Sequence, residues 1–149
     1  MLLNIVVEGV AGTALMTLVM YLVAFITRDR FKVVKVLGTM LTGQTTANKG
    51  LSEKPSAITV GIFAHYLVGI GFAAIYSWLW SNDILDDNII NATWMGFLNG
   101  VIGAIGWTIF FAIHPNPPKM PLKSYLTAIA LGHIFFAYGI LICYRLLEG

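Results

Sequence analysis

The sequence predicts an all-α, polytopic membrane protein built as a bundle of four transmembrane helices. Three observations predict it. Hydrophobic residues make up 58% of the 149 and charged residues only 11%, where a water-facing domain carries about 25% charged residues. Four apolar stretches, residues 2–27, 57–80, 90–113 and 122–144, each reach the roughly 20 residues that a helix needs to cross about 30 Å of hydrocarbon. Finally, the basic residues fall almost entirely on one side of those stretches.

Helices are the expected form because lipid offers backbone groups no outside partner. A β-barrel would show shorter, alternating strands, and these stretches do not alternate. The length suits one domain, residues 1–149. The first stretch has no Lys or Arg before it and a long apolar run, so it is expected to stay in the mature protein rather than to be a cleaved signal. Cys143 is the single cysteine, which excludes an intrachain disulfide and a CxxC motif.

Arg28, Arg30, Lys32, Lys35, Lys49 and Lys54 lie between stretches one and two, and Lys119 and Lys123 between three and four. Only Arg145 lies on the other side, facing a loop, SNDILDDN, that holds Asp83, Asp86 and Asp87. Positive loops stay in the cytoplasm. Both termini are therefore expected to face outward and both basic loops inward. Trp78, Trp80 and Trp94 flank the acidic loop, where an aromatic belt belongs, and Tyr144 falls at the same face. No basic stretch is interleaved with stacking aromatics, so no nucleic-acid partner is expected.

Between the first two spans, Phe31, Val34, Leu37 and Leu41 recur at helical spacing, with Lys32, Lys35 and Thr39 falling largely away from them. This predicts either a short helix in the headgroup region or an extension of the first helix. The following TGQTTANKGLSEKPS reads as loop. Ser52 and Glu53 before Pro55 offer capping chemistry to the second span, and Asn91 offers it to the third. Pro115, Pro117, Pro118 and Pro121 stop helix propagation and force a tight return, making the third and fourth spans antiparallel neighbours.

Lipid tails are as apolar as leucine, so membrane helices associate through close packing and polar contacts. Gly96, Gly100, Gly103 and Gly106 form a small-residue stripe on the third span with Asn99 on the same face. Gly61, His65, Gly69 and Ala73 form one on the second. Gly9, Gly12 and Thr13 serve the first, and Ala130 and Ala137 flank His133 on the fourth.

Glu8, His65, Asn99 and His133 are the polar side chains that matter inside the spans. A charge at mid-bilayer costs at least about 2.5 kcal/mol, so such groups turn inward. A rise of about 1.5 Å per residue places His133 near the midplane, His65 slightly inside it, Asn99 slightly outside, and Glu8 farther out. The four would form a ladder. In the main reading it is structural: neutral histidines donate to carbonyls or to Asn99 and fix helix pairing. In a second, it is a path for protons or a small ion. In a third, His65 and His133 are the axial ligands of a b-type haem. Zinc would need three or four ligands at one depth. His114, ahead of Pro115, reads as a cap or interface residue. No Ser-His-Asp or Cys-His arrangement and no phosphate-cradling loop is present, so no catalysis and no cofactor are expected beyond the haem alternative.

GTALMTLVMY (from Gly12), VLGTML (Leu37 to Leu41 within it) and HYLVGIGFAAIY (His65 to Tyr76) resemble the motifs of an uncharacterised family of small bacterial four-helix inner-membrane proteins. The resemblance covers the first half of the chain and, loosely, the glycine stripe of the third span. It implies a four-span inner-membrane protein and draws attention to His65, but supplies no activity. The expected role is therefore that of a non-catalytic accessory or scaffold protein. Its expected partners are the bilayer and other membrane subunits or further copies of itself.

Overall fold

The computed structural model describes residues 2–28 and 32–148. Arg30 and Phe31, used above, lie outside the described residues. Five helices follow one another: α1 Leu2–Thr27, α2 Val33–Thr42, α3 Pro55–Ser81, α4 Ile89–Ile113 and α5 Leu122–Glu148. There is no strand among the described residues. The four long helices have 25 to 27 residues, enough at about 1.5 Å per residue to span the hydrocarbon. Large apolar side chains cover their outer faces: Leu18, Phe25, Phe63, Leu67, Leu98 and Ile102 are all more than half exposed. A helix set that is greasy outside as well as inside has lipid for solvent. The chain is a multi-pass membrane protein.

The bundle is an open row. α1 packs on α3 and on α5, and α5 packs on α4, while α3 and α4 scarcely approach each other. Small residues permit each close pairing. A methyl on Gly96 would come within 2.7 Å of Ile134 Cα, and one on Gly100 within 2.8 Å of Ala130 Cα. On the other face of α5, a methyl on Gly139 would come within 2.8 Å of Gly12 Cα. α4 and α5 are close neighbours, as the four prolines between them require.

The stretch after α1 is a separate helix, α2, and it docks on α3 rather than lying loose at the surface. Gly38 sits against Ala57 and Gly61 against Val34, so the two helices run antiparallel. A Cβ on either glycine would overlap the facing carbonyl oxygen. Gly43 ends α2 in the left-handed region (φ 65°), with its N–H on Met40 O, a conformation that glycine adopts without a Cβ penalty.

Several local expectations are corrected. Thr39 faces the protein fully buried, where its Oγ1 accepts from Ser52 N at 2.8 Å, while Leu41 is 49% exposed. Val34 of the apolar set is buried against α3 as well, so α2 is covered on more than its apolar face, small and polar groups included. Lys35 pairs with Glu53. The N-cap of α3 is Lys54 with no side-chain cap bond, and Pro55 opens the helix, a position where its missing N–H costs nothing. The N-cap of α4 is Asn88, whose side chain accepts from Asn91 N at 2.9 Å. Trp78 and Trp94 are exposed as a belt requires, but Trp80 is buried at 4% between Tyr76 and Tyr144.

Candidate functional site

Because α3 and α4 do not pack, a gap runs between them, closed at its two ends by hydrogen bonds. At one end Asn99 Nδ2 of α4 donates to the Tyr76 hydroxyl of α3 at 2.9 Å. At the other, His114 at the end of α4 reaches the Met40 carbonyl of α2 at 3.0 Å. Asn116 N donates to His114 Nδ1 at 3.1 Å, so the ring proton sits on Nε2 and is given to Met40. His114 thus has the capping and bridging role expected of it.

Between these bonds lies a cavity of about 270 Å³. α1 and α5 form its floor with Thr13, Met16 and Ile129, and α2 closes the end nearest the basic loops with Val33 and Leu37. His65 of α3 and His133 of α5 are its titratable lining residues, among Phe72, Trp107, Phe110 and Phe136. Val68 and Gly106 at the rim are exposed, so the cavity opens toward the lipid.

Hydrogen bonding fixes which imidazole nitrogens are available. Thr17 Oγ1 gives its one hydrogen to Thr13 O at 2.7 Å. His65 Nε2, 3.0 Å from the same Oγ1, must therefore be the donor in that pair. His133 Nδ1 lies 2.8 Å from Ile129 O, and a carbonyl only accepts, so Nδ1 holds the proton. A neutral ring has one N–H. His65 Nδ1 and His133 Nε2 are consequently bare acceptors, and no hydrogen bond engages either among the described residues. The Cε1–Nε2 edge of His133 faces Gly103: a methyl there would lie 3.1 Å from Cε1 and 3.6 Å from Nε2.

The four residues of the expected ladder do not gather in one place. His65 and His133 share the cavity. Asn99 lies at its outer end, bonded to Tyr76. Glu8, 1% exposed, is bonded to Ser77 and ties α1 to α3 away from the cavity. The α4 stripe also divides: Gly96 and Gly100 pack on α5, Gly103 faces the His133 ring, and open space lies beside Gly106. The α3 stripe splits likewise, Gly61 meeting α2 and Gly69 meeting Thr13 of α1. Thr17 and Tyr76 went unremarked in the sequence although both fall inside the family-like motifs. Their signal was a hydroxyl at helical spacing from the small residues: Thr17 lies one turn from Thr13, and Tyr76 beside Ala73.

Two bare imidazole nitrogens could ligate a haem iron. The volume is below the roughly 300–1,000 Å³ of sites for drug-sized ligands, so a porphyrin would have to part α3 and α4 further. Among the described residues no three His, Cys, Asp or Glu side chains come together as a metal site would need. No family model, no curated protein and no solved structure matches the chain. What the fold and site define is a multi-pass helical membrane protein with a histidine-walled cavity between two of its spans.

Proposed function

We propose that this is a non-catalytic accessory protein of a bacterial inner membrane, with both termini periplasmic, whose α3–α4 cavity holds a small, mostly apolar molecule. The molecule enters from the bilayer and carries hydroxyl or N–H donors. One observation supports this above others: two imidazoles on different helices line one cavity, and each has its N–H on the protein, which leaves its other nitrogen an acceptor with no hydrogen bond among the described residues. A ligand with donors would satisfy both. The apolar and aromatic lining suits a ring or chain, and sites of this composition bind through burial with a few placed polar groups. Among the described residues no carboxylate lines the cavity beside the rings.

Organic extraction of protein purified in native lipid discs, followed by mass spectrometry, tests this. A small donor-bearing lipophile should co-purify with the wild type and be lost from Gly106→Leu, whose side chain would fill the cavity. Extracts free of any such molecule, or a Soret band that disappears in His65→Ala, would overturn it.

A further inference from the structure

A second cavity, of about 750 Å³, lies between the end of α1, α2, the loop before α3 and the loop before α5. Among the described residues its walls bring together Lys32, Lys35 and Lys119 with one carboxylate, Glu53. Among these described residues, three ammoniums and one carboxylate leave an excess of two positive charges. The cluster is held in place. Lys35 is paired with Glu53, and Lys32 Nζ lies 5.9 Å from the Tyr21 ring centroid. Lys119 is positioned by its backbone N–H, which donates to Lys49 O at 2.7 Å, and Lys49 in turn is bonded to Asn116. The two basic loops are thereby tied into one floor.

The rest of the wall is apolar and continues into the lipid-facing surface of α1. Tyr21 and Phe25 line the cavity, and Phe25 is 83% exposed, with Leu22 and Leu18 above it at 51% and 55%. A phosphate anion answers the charge, but a free phosphate would leave this greasy track unused. We propose that the cavity is an anionic phospholipid site: the headgroup phosphate sits between Lys32 and Lys119, and the acyl chains lie along α1. Basic pockets between membrane helices bind anionic headgroups in this way. The site is independent of any ligand in the histidine cavity.

Native mass spectrometry and thermal unfolding in neutral detergent test it, with phosphatidylglycerol, phosphatidylcholine or inorganic phosphate added. Phosphatidylglycerol should bind and raise Tm; phosphatidylcholine and inorganic phosphate should do neither. The Lys32→Gln/Lys119→Gln protein should bind phosphatidylglycerol about thirtyfold more weakly. Lys123→Gln, outside the cavity, should bind it unchanged. Equal binding of the two lipids, or equal stabilisation by inorganic phosphate, would overturn the proposal. Should the double variant fail to fold, the wild-type comparison of the two lipids decides by itself.

Discussion

Thr17 Oγ1 stands 3.0 Å from His65 Nε2, and this bond decides which nitrogen of His65 carries the proton. Thr17 can accept from the ring because its own hydrogen is committed to Thr13 O. The same division of labour recurs at His133, where the Ile129 carbonyl takes the Nδ1 proton. Two helices thus orient two imidazoles by unrelated local means, and both rings, each with one nitrogen left as an acceptor, line one apolar cavity. Association of membrane helices needs no such convergence, since packing alone holds them.

Thr17 and His65 should be energetically coupled across α1 and α3. In a double-mutant cycle of Thr17→Val and His65→Phe, unfolded from bicelles with SDS, the coupling should be about 0.6 kcal/mol. Strict additivity would show that the bond is not made.

Gly106 should be replaceable without loss of fold. Open space lies beside it, so Gly106→Leu puts a side chain into the cavity rather than into a neighbouring helix. Its unfolding midpoint should equal or exceed that of the wild type, as removing an interior helical glycine is worth about 0.5–1 kcal/mol. A large drop in that midpoint would mean that the space is not there.

Gly38 and Gly61 should tolerate nothing larger. A Cβ on either collides with a backbone carbonyl of the other helix, which cannot swing aside as a side chain can. Gly38→Ala and Gly61→Ala should each destabilise by about 1–3 kcal/mol. Gly71→Ala, whose Cβ meets nothing, should be neutral or better. SDS titration of the three variants compares them directly.

Orientation is open to labelling. In a Cys143→Ser background, a membrane-impermeant maleimide applied to intact cells should label Asn82→Cys, between α3 and α4, and spare Lys54→Cys, before α3. The reverse pattern would place the termini inside.

The four spans were legible because the bilayer sets a helix length that composition alone satisfies. α1 ends where the apolar run ends, and α4 begins one residue before the expected 90. α5 runs on to Glu148, past the expected 144, because a helix continues beyond the hydrocarbon at no cost to its backbone bonds. What stayed illegible was azimuth. Depth put Glu8, His65, Asn99 and His133 on one ladder, but only contact between helices decides which face meets which, and Glu8 turns to Ser77 instead. α2 failed in the same manner. Its helical spacing was readable and Val34 is buried, yet Thr39, expected to fall away from the apolar set, is fully buried too, because contact with α3 and the following loop covers a second side of the helix. The cavity itself could not be read at all, since it arises from two spans that do not pack.

The most direct measurement compares binding of a short alkyl hydroquinone and its dimethyl ether to the protein in lipid discs by calorimetry. The two probes share an aromatic ring, but the ether has no donors to give His65 and His133. The hydroquinone should bind at least about tenfold more tightly, as two net hydrogen bonds imply, and Gly106→Leu should abolish the difference. Equal affinities for the two probes, or binding of the hydroquinone that survives Gly106→Leu, would contradict an acceptor-walled cavity as the site.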